Sequence, residues 1–256
     1  MTTSNRYSGF PAAVLAALLC AAAGAQEQGP EDEERDWKTS IAIGFNLTSG
    51  NSETTLGNAS ATLERKTEPH LMRIAAEGAY GESEVESTEG ATVDETTAQN
   101  AKLSANYKRS LNGAFLYADA TALHDDIAEI DYRFTPGLGA GYFLVKTTAV
   151  RLSAEAGAGY LWEDVKDIED NYATFRAAQR LDWQISQTAK LWQTVEYLPR
   201  ADDFKDYLLN AEIGVEAAMT TAVNLRVVIQ DRYDNTPAAG KEENDIAVIS
   251  ALSMSL

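Results

Sequence analysis

From residue 37 onward the chain alternates. In "WKTSIAIGFNL" the odd positions hold Trp37, Thr39, Ile41, Ile43, Phe45 and Leu47, and the even ones Lys38, Ser40, Ala42, Gly44 and Asn46. A period of two belongs to a strand with one apolar face and one small or polar face. "RLSAEAGAGYLW", "YLLNAEIGVEAA", "VNLRVVIQDRY" and "DIAVISALSMSL" repeat it. The pattern predicts twelve strands, starting near residues 37, 54, 71, 97, 114, 132, 150, 172, 190, 207, 223 and 245.

The connections alternate too. "KTEPH", "KRSLNG", "VKTTA", "SQTA" and "AMTTA" are short, whereas "GESEVESTEGATVDET", "HDDIAEID", "EDVKDIEDN", "PRADDFKD" and "DNTPAAGKEEN" between them are longer and acidic. Tight turns at one end and longer loops at the other suit a membrane barrel with an even number of antiparallel strands.

Charge obeys the same parity. Arg73, Glu77, Lys102, Asp119, Arg133, Arg151, Glu155, Arg176, Arg180, Lys190, Glu196, Glu212, Glu216 and Arg226 all fall opposite the greasy face. A charge at the bilayer midplane costs roughly 2 to 4 kcal/mol, so such segregation is expected if the greasy face meets lipid. A soluble sandwich would alternate as well, but with strands of about 5 to 6 residues and larger core side chains. Here the apolar face is rich in Ala, Leu and Val. Its aromatics gather at the ends: Tyr80, Tyr132, Tyr160, Trp162, Tyr197, Tyr207 and Tyr233 toward the long loops, and Trp37, Tyr107, Tyr142 and Trp183 toward the short turns. Two aromatic girdles complete the prediction of an all-β, transmembrane, antiparallel up-and-down barrel of about twelve strands.

The first 36 residues read differently. Arg6, the apolar run Pro11 to Ala25 and the small residues Ala23-Gly24-Ala25 form a cleavable signal peptide over 1–25. An acidic linker over 26–36 follows, leaving 37–256 as the barrel. The single cysteine, Cys20, lies within the signal segment, so no disulfide, thiolate metal site or cysteine nucleophile is expected in the exported protein. With Arg6 gone, 39 acids face 20 bases, a net charge of −19, which excludes nucleic acid as a partner. The expected partners are outer-membrane lipid and lipopolysaccharide, and the barrel-insertion machinery through the C-terminal strand; the expected oligomeric state is a monomer. Leu252, Met254 and Leu256 keep the outward alternation there, although the chain ends in leucine where such barrels usually end in an aromatic.

Two stretches, "GFNLTSGNSETT" (Gly44 to Thr55) and "IDYRFTPGLGAGY" (Ile130 to Tyr142), resemble the YdiY-like family, also called salt-induced outer-membrane proteins. The resemblance covers the chain from about Trp37 to Leu256. It implies a Gram-negative outer-membrane barrel linked to salt or envelope stress, and it carries no catalytic residues.

Candidate chemistry is sparse. Gly137, Gly139 and Gly141 are spaced like a phosphate loop, but a strand end follows them rather than a helix. They read instead as the lumen face of the sixth strand, where Pro136 removes a ladder donor and predicts a bulge or local bend. His124 beside Asp125 and Asp126 could act as a general base at a barrel rim, yet no partner serine or facing carboxylate pair is identifiable. Asp125, Asp126, Glu129 and Asp131 are weak oxygen ligands for a divalent cation. No cofactor and no enzymatic activity are expected. Arg133, Arg151, Glu155, Arg176, Glu196, Glu212, Glu216 and Arg226 are the expected lumen-lining residues. About eight strands make a barrel that side chains fill, so twelve leave room for a narrow passive pore for small solutes or ions. The alternative is a non-conducting structural barrel with cation-binding acidic loops, and the third reading is a rim hydrolase around His124.

Overall fold

A computed structural model of the chain describes residues 37–48, 54–86 and 92–255. The expected signal peptide and linker, and Leu256, lie outside the described residues. Twelve strands follow in order: β1 (Trp37–Thr48), β2 (Thr54–Thr67), β3 (His70–Glu86), β4 (Thr92–Leu111), β5 (Ala114–Asp125), β6 (Ile130–Lys146), β7 (Val150–Val165), β8 (Ile168–Gln184), β9 (Ala189–Pro199), β10 (Tyr207–Ala218), β11 (Val223–Asp234) and β12 (Asn244–Ser255). Each pairs antiparallel with its sequence neighbours, and β1 closes on β12 through Ser40↔Ser255 to Ile43↔Leu252. The fold is a closed up-and-down barrel, as the alternation predicts.

Parity decides what faces out. Ile43, Phe45, Leu138, Leu144, Val248 and Leu252 are all more than half exposed on the outer surface, which suits a surface that meets hydrocarbon. The girdle aromatics sit among them. At the loop end, Tyr197, Tyr207 and Tyr233 lie ring to ring across β9, β10 and β11, the first pair tilted and the second stacked, with centroids 5.3 and 5.7 Å apart.

Ten of the strand starts agree with the sequence to within two residues, and two lie four or five residues earlier. The connection expected over Glu163–Asn171 is mostly strand: β7 and β8 continue in register to a two-residue turn at Lys166–Asp167, both at positive φ (55° and 62°), the backbone of a type I′ hairpin. Likewise β3 and β4 run on until only residues 87–91 join them. Polar residues on both faces read as loop, but a hairpin standing clear of the hydrocarbon can be polar on both faces.

Of the bulge or local bend expected at Pro136, the bulge is absent. Pro136 pairs with Ala120 without a shift. On the β7 side pairing lapses at residues 135 and 136 and resumes at Gly137↔Gly159 in the register already set by Phe134↔Trp162. The Pro136 carbonyl points toward β7, 2.7 Å from where a Cβ on Gly159 would stand. In a strand the N and C=O of one residue face the same side, so the missing donor also faces β7, and the sheet omits that pairing locally instead of slipping. Register shifts in β6 occur instead at Ile130/Tyr132 and Phe143/Val145.

The glycines serve the lumen. Tyr117, Gly139, Gly157 and Arg176 form one continuous cross-strand row over β5 to β8. Tyr117 lies flat along that row: a Cβ on Gly139 would fall 2.5 Å from its hydroxyl, and one on Gly157 would overlap the same hydroxyl. One row below, Phe115 lies over Gly141 in the same way. Gly157→Val should therefore lower barrel stability by about 1 to 3 kcal/mol through overpacking. Ala156→Val, on the exposed outer face, should change it by less than about 0.5 kcal/mol. Urea midpoints read from heat-modifiable gel mobility compare the two.

Candidate lumenal site

The charges that parity sends inward meet across the barrel. Arg176 on β8 is the hub: its Nη1 is 2.8 Å from Glu155 of β7 and its Nε 2.6 Å from Glu196 of β9 and 3.7 Å from Asp119 of β5. Its guanidinium stacks 4.9 Å from the Tyr117 ring centroid. Lys108 of β4 passes over the Phe115 ring, 4.7 Å from its centroid, to reach Glu155 at 2.5 Å. An ammonium on β4 and a carboxylate on β7 meet only through the lumen.

A second cluster repeats this plan on β9 to β12. Trp192 lies over Gly214 and donates its indole N–H to Glu212 Oε1 at 2.6 Å. Arg226 stands 5.5 Å above the indole centroid and donates twice to Glu216 Oε2, at 2.9 and 2.7 Å. Lys190 and the Ser253 hydroxyl also reach Glu216, at 2.7 and 3.1 Å. In both clusters a ring fills the space a glycine vacates, a cation covers the ring, and carboxylates neutralise the cation.

Toward the loop end the lumen is spanned twice. Arg133 of β6 donates to Glu163 of β7 at 2.6 Å and to Asp234 of β11 at 3.0 Å. Arg232 of β11 donates in return to Asp125 of β5 at 3.2 Å. β5/β6 and β11 are separated by about five strands around a ring of twelve, so these pairs cross almost the full width. The Tyr172 hydroxyl donates to Glu163 at 3.1 Å. Above them Glu129, in the turn between β5 and β6, forms ion pairs with Lys166 at 3.0 Å and Lys241 at 3.4 Å. Glu129 thereby straps three connections together over the mouth. These ammonium groups, Lys166 foremost, hold its carboxyl below the ordinary glutamate range.

Of the residues predicted to line the lumen, Arg133, Glu155, Arg176, Glu196, Glu212, Glu216 and Arg226 enter these networks. Arg151 stands at the turn-end mouth, more than half exposed and 4.0 Å from Asp182. The acids proposed for a metal are not brought together. Asp125 turns inward to Arg232, Asp126 accepts from Gln99 and lies 3.1 Å from His124 Nε2, and Glu129 is held by lysines. Asp131 offers its backbone carbonyl to His124 Nδ1 at 2.8 Å. Among the described residues no group of three or more His, Cys, Asp or Glu side chains is arranged to hold a metal. His124 Nδ1 thus ties β5 to β6 while Nε2 faces Asp126 of the following turn, and Asp125, expected beside it, faces the other way. Sequence reasoning missed Lys108, Tyr117, Tyr172, Trp192 and Asp234. For Tyr117 and Trp192 the available signal was an aromatic residue on the parity of the glycines, directly opposite a glycine on the neighbouring strand.

Closed antiparallel topology, an apolar exterior and a charged interior define a transmembrane β-barrel. The chain belongs to the family described as "Protein of unknown function, DUF481", which matches residues 41–255. Among solved structures it is similar to the COG4313 outer membrane channel from Pseudomonas putida F1, at 12% identity over 90% of this chain and 100% of that one, with a TM-score of 0.51. It also matches the NanC porin at 7% identity over 85% of this chain and 97% of that one, with a TM-score of 0.48. At such identities the likeness bears on the fold alone. No curated protein matches the chain.

The Glu129 strap carries a pH prediction. A carboxyl whose folded-state pKa is depressed adds stability above its unfolded value and loses it as pH falls through the folded one. The strap should therefore stay closed at mildly acidic pH and open only below the ordinary glutamate range. Carboxyl chemical-shift titration of Glu129 in micelles checks this, and Lys166→Ala should move the midpoint back up.

Proposed function

We propose that this protein is an outer-membrane barrel giving passage to small ions or solutes, with a constriction near its outer mouth formed by the Arg133–Asp234 and Arg232–Asp125 pairs. The observation that carries the proposal is the lumen itself. It is lined by ionised groups of both signs, several of them reaching across its width. A barrel interior of this polarity is kept by water or by mutual pairing, and rings of charge at a narrow point sort solutes by size and sign. One solved structure similar in fold is an outer membrane channel, which supports the reading. The loop end faces the exterior and the tight turns face the periplasm, after export through a cleaved signal peptide. The resemblance to YdiY-like, salt-induced proteins links the barrel to salt or envelope stress.

A second reading, a non-conducting structural barrel, is favoured by one observation. Lys108, Tyr117, Glu155 and Arg176 pack the β5–β8 side of the lumen with side chains already neutralised and stacked. No separate observation favours a rim hydrolase, since His124 Nδ1 ties β5 to β6 and Nε2 faces Asp126.

Planar-bilayer recording decides between the two. The refolded barrel should give small conductance steps at high salt, and the double variant Arg133→Ala, Asp234→Ala should give larger ones, because it removes both halves of one cross-lumen pair. Silence from both proteins would leave the structural barrel. Arg133→Ala alone strands the carboxylates of Glu163 and Asp234 and should cost roughly 1.5 to 3 kcal/mol of stability, so the double variant is the cleaner test.

A further inference from the structure

We propose that the lipid-facing wall of β1 to β4 holds an anionic phospholipid of the periplasmic leaflet, its phosphate taken by Arg65 and Arg109. The assignment rests on the orientation given above, with the tight turns toward the periplasm, and not on conductance. The outward parity of the strands carries little charge, and what it carries divides by end. Among the described residues Arg65 and Arg109 are the only lysine or arginine on the outward face of any strand. Both stand at the turn end, where Trp37 and Tyr107 belong to the aromatic girdle. The outward acids Glu82, Asp164, Glu169 and Asp231 all lie toward the opposite end. A guanidinium that faces hydrocarbon is costly, so side chains placed there reach along the wall to the headgroups.

Register gathers the two arginines into one patch. Trp37, Arg65, Met72 and Tyr107 form a cross-strand row over β1 to β4, and Thr67, His70 and Arg109 form the next row toward the turns. From Arg65 to Arg109 is two strand spacings and one two-residue step, roughly 12 Å between Cα atoms. Two extended guanidinium side chains can meet on a phosphate across that gap. The Arg65 guanidinium lies 5.8 Å from the Trp37 ring centroid. His70 stacks on Tyr107 with centroids 5.8 Å apart, and its Nδ1 is hydrogen-bonded to the Tyr107 hydroxyl at 2.7 Å. A fixed polar ring thus stands on β3, between the strands that carry the arginines. Leu63, Met72, Leu111 and Leu116 are exposed around them and give acyl chains an apolar wall. The outward positions of β1 to β4 at this end hold no acid, and Glu68 is exposed at the tip of the β2–β3 turn, beyond the strands. Arginine's planar fork matches phosphate oxygens. With no outward carboxylate on these strands to pair with a headgroup ammonium, a net-negative lipid is favoured over a zwitterionic one.

Native mass spectrometry of the refolded barrel in non-ionic detergent tests the site, with phosphatidylglycerol and phosphatidylcholine of the same acyl chains as probes. Phosphatidylglycerol should be retained in preference to phosphatidylcholine, and the double variant Arg65→Gln, Arg109→Gln should retain it about tenfold less well. The double variant Lys38→Gln, Lys146→Gln removes the same charge at the same end from the lumen parity and should retain it unchanged. Equal retention of the two lipids, equal loss in both double variants, or no loss in the arginine variant would overturn the site. So would displacement of the lipid by millimolar inorganic phosphate, which would leave a plain anion site. A measurement on the unaltered protein does not depend on how the variants fold: phosphatidylglycerol bearing a diazirine near its head should cross-link to peptides of β2 to β4, and cross-links spread evenly around the barrel would overturn the placement. Since neither readout involves conductance, a silent barrel that retains the lipid at this wall would remove the pore alone.

Discussion

In hydrocarbon a strand can leave no backbone amide unpaired, and every other feature of this protein follows from that constraint. Twelve strands can satisfy it only by closing, which β1 and β12 do through a seam of four pairs among the described residues, Ser40↔Ser255 to Ile43↔Leu252. Closure removes both edges and leaves each side chain two destinations, lipid or lumen. Once Leu138, Ile43 and Val248 face lipid, the alternation of the strand carries Arg176, Glu155 and Glu216 inward whatever else they might contact. A one-residue slip would exchange the two faces completely. The sheet's handling of Pro136 fits that cost: it gives up a local pairing and holds the register.

An interior assembled in this way contains far more charge than an ordinary core, and it is organised by rows. Cross-strand neighbours at one height share a face, so a large residue on one strand can be accommodated by a small one on the next. Tyr117 over Gly139 and Gly157, Phe115 over Gly141 and Trp192 over Gly214 are three instances. Each ring then supports a cation, Arg176, Lys108 or Arg226, whose remaining donors are taken by carboxylates from other strands. Glycine in a strand is usually a weakness; here an aromatic covers it, and the ring gains a wall against which a guanidinium can be held in place.

How much of this was legible in the sequence follows from the range of each interaction. Strand existence and the parity of charge are local properties, readable from segments such as "RLSAEAGAGYLW", and the inward placement of Glu155 and Arg176 came with them. Hairpin ends were less legible, because the period-two signal vanishes where both faces meet water, as at Lys166–Asp167. Cross-lumen partners were not legible at all. That Arg133 meets Asp234 rather than some other acid depends on strand number, tilt and stagger around the whole ring, which no segment of either strand encodes. The glycine rows fall between these cases: Gly139 and Gly157 stand out in the sequence, but Tyr117 as their occupant follows only from the β5–β6 and β6–β7 registers.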